Sequence, residues 1–167
     1  MKNKHAIIVR VHTVAPEQTV QQALDLLRKH SIRCLPVVDA NKQFCGLFTF
    51  EAVFKQLLPM AVRMEGGLDN VDFITGTSSG SAKRLRKIAQ KLVSDVMLTE
   101  VPEVHPDTSA WEMLRLLAKF GSPIPVTDEL SHKFLGIVSD QSVLSSLEEV
   151  LEEVEAEEAI REPINTV

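Results

Sequence analysis

The chain has 167 residues, and the 44% that are apolar are enough to fill the core of one ordinary domain or of two small ones. Its formal net charge is −5 at pH 7, which gives no general attraction to nucleic acid or to an anionic membrane. Its apolar runs stay far below the ~18 residues of a membrane span, and the run Ala6 to Val9 is too short for a signal peptide. We therefore expect a cytoplasmic protein with no general affinity for membranes or nucleic acid.

The first part of the chain has the pattern of a helix followed by a hairpin and a second helix. After Pro16, polar residues that can cap a helix precede a set of inward-facing apolar residues. These residues are Val20, Ala23, Leu24 and Leu27. The apolar runs Cys34 to Val38 and Phe44 to Phe48 flank a polar turn and predict a hairpin. A helical pattern from Glu51 to Leu58 then places Thr49 at a strand-to-helix junction, where backbone N–H groups can face an anion.

Residues 59–92 are too long for an ordinary connection and contain Gly66-Gly67 and a Ser/Thr/Gly-rich stretch from Thr75 to Ser81. They predict an insertion that ends in a basic helix starting at Ser81. The basic residues of this helix are Lys83, Arg84, Arg86, Lys87 and Lys91. We interpret it as a solvated helix packed on the rest of the protein, with nucleic-acid binding as an alternative that predicts steep salt dependence.

The second half of the chain repeats the first. Val14-Ala15-Pro16 recurs as Val104-His105-Pro106, at an offset of 90 residues. The hairpin recurs as Ile124 to Thr127 and Phe134 to Ser139, and a helical pattern follows from Gln141 to Leu151. We interpret each copy as strand, helix, strand, strand, helix, with the first strand before the first helix. Because a unit of this size leaves one face uncovered, we expect the two copies to pack as a pseudo-twofold pair.

The stretch Glu148 to Glu162 holds eight glutamates and the single basic residue Arg161. Its apolar residues recur at helical spacing, so the tail is predicted to be an acidic amphipathic helix. It is either a solvated extension of the preceding helix or a contact with a second copy or a partner. Membrane insertion does not fit an acidic polar face.

Both copies resemble the cystathionine-beta-synthase (CBS) domain family, whose pattern is apolar-Pro-Val-apolar-Asp, a turn, then Gly-apolar-apolar-Thr/Ser. The first copy has Leu35-Pro36-Val37-Val38-Asp39 and Gly46-Leu47-Phe48-Thr49. The second has Ile124-Pro125-Val126-Thr127-Asp128 and Gly136-Ile137-Val138-Ser139. The resemblance implies an α+β fold of two pseudo-twofold-related β-α-β-β-α CBS repeats packed through their sheets. We divide the chain into repeat 1 (1–58), a helical insertion (59–92), repeat 2 (93–147) and an acidic helical tail (148–167).

Membership of this family implies two symmetry-related clefts that often hold AMP, ADP, ATP or S-adenosylmethionine. By resemblance, the ligand-binding positions in the first copy are Val14, Leu35, Pro36, Thr49, Glu51 and Ala52. Those in the second copy are Val104, Ile124, Pro125, Ser139, Gln141 and Ser142. Adenosine-binding members usually place an aspartate six residues after the motif glycine, where Ala52 and Ser142 stand here. Loss of this charged acceptor is expected to weaken binding roughly ten- to a hundredfold.

The sequence gives no sign of catalysis or of a metal site. The histidines are scattered, and Cys34 and Cys45 have neither the number nor the spacing of a disulfide framework or a zinc site. We therefore expect a non-catalytic regulatory module that needs no cofactor. It senses an adenosine-type ligand in the cleft between the repeats, signals to a protein partner in trans and forms a homodimer. The alternative is a protein-interaction or oligomerisation module without a ligand.

Overall fold

The computed structural model describes residues 6–58 and 78–161, and it has the mixed α+β architecture predicted from the repeat. The helices are α1 (Val20–Lys29), α2 (Phe50–Leu57), α3 (Ser78–Ala89), α4 (Ala110–Phe120) and α5 (Asp140–Arg161), with a 3-10 turn at Val93–Asp95. The strands are β1 (Cys34–Val38), β2 (Phe44–Thr49), β3 (Ile124–Thr127) and β4 (Phe134–Val138). The chain divides into a first unit, His12–Val101, and a second unit, Met1–Val11 with Pro102–Val167.

The first unit is built around the hairpin of β1 and β2. The strands are antiparallel, with Leu35 opposite Phe48, and both side chains are fully buried. Helix α1 begins at a capping box in which the Thr19 hydroxyl accepts from the Gln22 backbone N–H and the Gln22 side chain accepts from the Thr19 N–H. Its buried face joins the core, which consists of Val14, Val20, Ala23, Leu24, Leu27, Leu35, Val37, Phe48, Ala52, Val53, Ile88, Val93 and Val96.

The second unit repeats this arrangement with β3, β4, α4 and α5. Strands β3 and β4 are antiparallel, with Ile124 opposite Val138. The Ser109 hydroxyl caps α4 by accepting from the Glu112 backbone N–H at 3.2 Å. The core consists of Ala6, Val104, Met113, Leu116, Leu117, Ile124, Val126, Val138 and Val143.

The strand predicted at the start of each copy is reduced to a single bridge. Val14 bridges Val37 and Val104 bridges Val126, both in parallel orientation. One residue on each side of the bridge cannot produce the alternation that marks a longer strand in a sequence. The prediction of a strand before the first helix of each copy therefore holds only as a single bridge.

One edge of each hairpin is covered by a segment from elsewhere in the same unit. Leu98 pairs with Leu47 on β2, and Ile8 pairs with Ile137 on β4, each through two backbone hydrogen bonds of 2.8–3.0 Å. A Cβ atom on Gly46 would lie 2.5 Å from the carbonyl oxygen of Leu98, so this close approach requires glycine. The motif glycine of each copy therefore serves the packing of this edge.

Two helices differ in extent from their predictions. Helix α3 spans Ser78–Ala89, so it begins three residues before the predicted start and ends before Lys91, which was predicted to belong to it. Helix α5 is continuous over 22 residues, so the last helix of the second copy and the acidic tail form one element. The glycine-containing part of the predicted insertion before Ser78 lies outside the described residues. Among the described helices, none is long and apolar enough to cross a membrane.

Candidate functional site

In the first repeat, the predicted positions meet at the end of the hairpin where β2 passes into α2. Thr49 lies opposite Cys34 and is the N-cap of α2, and its hydroxyl accepts from the Ala52 backbone N–H at 3.1 Å. A hydroxyl in this position satisfies one of the N–H groups that a helix start leaves without an intrahelical partner. The junction predicted from the sequence is therefore present.

The three apolar candidates of this repeat lie side by side in the sheet. The Val14 N–H donates to the carbonyl oxygen of Pro36 at 3.0 Å, and the Val38 N–H donates to the Val14 carbonyl at 2.9 Å. Val14, Leu35 and Pro36 are buried. Their side chains form part of the interior, so a ligand here would meet mainly backbone edges and apolar surface.

Neither Glu51 nor Ala52 offers a free carboxylate to a ligand at this junction. Glu51 is exposed in the first turn of α2 and its carboxylate pairs with the Lys55 ammonium at 2.8 Å. Ala52 is 1% exposed and packs in the core of the unit. Helix α2 begins at Phe50, so Glu51, which the resemblance places among the ligand-binding positions, lies in the first turn of the helix.

In the second repeat, two serines form a reciprocal cap at the start of α5. The Ser139 N–H donates to the Ser142 hydroxyl at 2.9 Å, and the Ser142 N–H donates to the Ser139 hydroxyl at 3.1 Å. The Ser142 hydroxyl in turn donates to the Ser139 carbonyl oxygen at 3.0 Å. Gln141 is exposed beside them. This junction carries two hydroxyls where the first repeat carries only Thr49.

The apolar candidates of the second repeat have the same arrangement as those of the first. The Val104 N–H donates to the Pro125 carbonyl at 3.0 Å, and the Thr127 N–H donates to the Val104 carbonyl at 2.9 Å. Val104, Ile124 and Pro125 are buried. The repeat in sequence is thus a repeat in backbone hydrogen bonding.

A polar cluster beside Val104 distinguishes the second repeat and was missed in the sequence. Thr127 is fully buried, and its hydroxyl donates to the exposed carboxylate of Glu103 at 2.7 Å. His105 Nδ1 lies 2.9 Å from the Thr127 carbonyl oxygen, which can only accept, so this nitrogen carries the proton. The aligned residues of the first repeat are Thr13, Ala15 and Val38. The replacement of Val38 by a threonine was the signal that could have revealed the cluster.

The two cysteines and His30 have environments that shift their pKa values. Burial raises the pKa of the Cys34 thiol to about 12, and burial also raises the pKa of Cys45. The His12 and His30 rings stack with centroids 3.6 Å apart. Desolvation first and then the neighbouring His12 lower the pKa of His30. The part of the chain that the structure describes contains no group of three or more His, Cys, Asp or Glu side chains that could hold a metal ion.

Comparison with known proteins places both repeats in one domain family. The sequence model described as "CBS domain" matches residues 5–59 and 93–149, which is more than half of the chain. The inosine-5'-monophosphate dehydrogenase of Korarchaeum cryptofilum (strain OPF8) is 30% identical over 113 residues, which are 67% of this chain and 23% of that protein. This chain therefore spans less than a quarter of the length of that relative.

Solved structures share the fold along nearly the whole chain. CBSX2 from Arabidopsis thaliana, in complex with AMP, has a TM-score of 0.63 at 20% identity and covers 89% of this chain and 96% of its own. CbpB in complex with c-di-AMP has a TM-score of 0.64 at 17% identity, and the match covers 92% of this chain and 88% of CbpB. At these identities the likeness shows the fold alone.

Proposed function

We propose that this chain, which belongs to the CBS-domain family as a tandem pair, is a regulatory module that senses an adenosine-type nucleotide or a related adenosine compound. The proposal includes no reaction and no resident cofactor. Its ligands are AMP, ADP, ATP, S-adenosylmethionine or a cyclic adenine dinucleotide. Occupation of a site changes the surface that the chain presents to a protein partner in trans, because a ligand that prefers one conformation increases the population of that conformation.

The start of α5 is the observation that carries the proposal. Two hydroxyls, Ser139 and Ser142, and the backbone N–H groups of the first helical turn lie together directly after β4. A helix start favours negative charge because its N–H groups and its dipole both point toward an anion. At this start the Ser139 hydroxyl accepts from the Ser142 N–H and keeps its own proton for a phosphate oxygen, while the Asp140 N–H already donates to the Ser122 hydroxyl. The AMP and c-di-AMP complexes of proteins with this fold add support for the ligand class.

The second repeat is the better candidate of the two. Its junction has a second hydroxyl, Ser142, which donates to the Ser139 carbonyl and can accept one further weak hydrogen bond, whereas Ala52 contributes no polar side chain to the first. The exposed Glu103 carboxylate beside Val104 keeps acceptor capacity after its bond to Thr127, and it can accept from the amino or hydroxyl groups of a nucleoside. We therefore assign the tighter site to the second repeat.

A ligand-free interaction module is the second candidate function. It is favoured by Ala52 and Ser142, which replace the ribose-binding carboxylate in both copies. In that case the sheets and helices serve to present a surface, and adenine nucleotides have no effect on stability or on partner binding.

Isothermal titration of AMP and c-di-AMP into the wild-type protein and two serine variants tests the proposal. Ser139→Ala removes a hydroxyl at the proposed site together with a helix cap, and Ser109→Ala removes an equivalent cap from α4. Each substitution is expected to cost about 1 kcal/mol of stability. We expect only Ser139→Ala to weaken nucleotide binding. Equal affinity in both variants would place the ligand elsewhere, and no heat with either nucleotide would favour the ligand-free candidate.

A further inference from the structure

The C-terminal half of α5 is a helix that contacts little of its own chain. Every residue from Leu151 to Ile160 is exposed. These residues and the three that precede them carry many glutamates. Its glutamates are Glu148, Glu149, Glu152, Glu153, Glu155, Glu157 and Glu158. We call residues 148–160 the acidic segment.

Charge makes the acidic segment a poor helix on its own. Glu148 and Glu152, and likewise Glu149 and Glu153, lie four residues apart, where like charges destabilise a helix. Negative charge near the C-terminal end of a helix also opposes the helix dipole. A segment of this length is marginal in water even with favourable residues. Its helical state therefore calls for a positively charged neighbour.

An apolar stripe runs along the same helix. Leu147 is half-buried and packs against the core of the second unit, and the stripe continues outward through Leu151 and Val154, which are 55% and 43% exposed. The positions i, i+4 and i+7 lie on one side of a helix. The acidic segment thus has the apolar and charged surface of a helix that packs against another helix.

Helix α3 has the complementary surface. Leu85 and Ile88 pack against the core of the first unit, while four cations face solvent. These are Lys83, Arg84, Arg86 and Lys87. Arg84 donates one hydrogen bond to the Leu57 carbonyl at 3.1 Å. Within the described ranges 6–58 and 78–161, the side-chain ion pairs lie inside α1, α2 and α4, and none of them involves a charge of α3 or α5.

We propose that the acidic segment of one copy docks along α3 of a second copy. Because each chain carries both the surface and its complement, a twofold axis lets two chains form the contact twice. Complementary charge fixes the pairing and speeds association, and the stripe of Leu151 and Val154 supplies apolar burial. This proposal does not rest on nucleotide binding, so it can be tested without a ligand.

Charge reversal in two separate variants tests the contact. The tail variant carries Glu152→Lys, Glu153→Lys and Glu157→Lys, and the helix variant carries Lys83→Glu, Arg86→Glu and Lys87→Glu. Sedimentation velocity is run on each protein and on their equimolar mixture, at low and at high salt. We expect each variant alone to self-associate at least tenfold more weakly than wild type, and the mixture to regain association because opposite charges again face each other.

The controls separate this contact from unfolding and from other partners. Circular dichroism checks that each variant is folded, and a Glu129→Lys, Lys133→Glu variant reverses two exposed charges in the β3–β4 turn without changing association. A wild-type protein that stays monomeric overturns the proposal, as does wild-type association in either variant. If both variants lose self-association and their mixture does not regain it, the charges act within one chain, and the proposal is also overturned.

Discussion

A carboxylate at position 142 is expected to increase the affinity of the second repeat for AMP. The substitution Ser142→Asp places an acceptor six residues after Gly136, where adenosine-binding relatives of this family usually have one. The Ser142 hydroxyl now accepts from the Ser139 N–H at 2.9 Å, and an aspartate can accept the same bond. The change therefore keeps the cap of α5 and adds a charged acceptor.

The magnitude follows from the type of hydrogen bond. Ser142 already spends its hydroxyl proton on the Ser139 carbonyl at 3.0 Å, so it has little to offer a ribose. A carboxylate accepting from two ribose hydroxyls contributes about 1.5–3 kcal/mol, which is roughly a ten- to hundredfold gain in affinity. Folding stability should change by less than about 0.5 kcal/mol, because the new charge lies at a helix start.

Titration calorimetry with AMP measures this gain against a matched variant. Ser145→Asp introduces the same charge on α5 at an exposed position one turn further along. We expect Ser142→Asp to bind AMP more tightly than wild type and Ser145→Asp to bind like wild type. Equal affinities in all three proteins would refute the assignment of the site to the start of α5.

Three further predictions concern the fold and its titrating groups. Gly46→Ala should lower the free energy of unfolding by about 1–3 kcal/mol in a denaturant titration, because its Cβ would overlap the Leu98 carbonyl; Cys45→Ala, on the same strand, should cost less. Cys34, with a pKa of about 12, should resist alkylation at pH 8 until the protein unfolds. The Cys34 thiol ionises at a lower pH in the unfolded state than in the folded state. The free energy of unfolding should therefore fall by about 1 kcal/mol per pH unit as the pH rises above 9. His12→Ala should raise the pKa of His30 in an NMR titration. Because the folded state of the wild-type protein favours the neutral His30 ring, its free energy of unfolding should fall as the pH falls below 6.5.

Local patterns predicted the hairpins and the two strand-to-helix junctions well. Strands β1 and β3 have the predicted bounds, Cys34–Val38 and Ile124–Thr127, because short apolar runs between polar turns are a signal carried by neighbouring residues. Thr49 and Ser139 were expected at strand-to-helix junctions and lie there. The internal repeat made each of these predictions twice, which is why the α+β class and the family followed from the sequence.

Pairing between distant segments could not be predicted in the same way. Leu98 covers the edge of β2 and Ile8 covers the edge of β4 through a single bridge each, which leaves no periodic trace in the sequence. The bond from Thr127 to Glu103 likewise depends on a tertiary contact. The roles of the ligand-binding residues and the packing of the repeats through their sheets stay predictions.

Thermal unfolding in the presence of adenine nucleotides tests the central claim most directly. Wild-type protein and Ser139→Ala are each melted with AMP, ADP, ATP, S-adenosylmethionine and c-di-AMP. A ligand present at a hundred times its dissociation constant raises the free energy of unfolding by about 2.7 kcal/mol. The sensing account predicts a clear rise in the wild-type melting temperature with at least one of these compounds and a smaller rise in the variant. An unchanged melting temperature with every compound would contradict it.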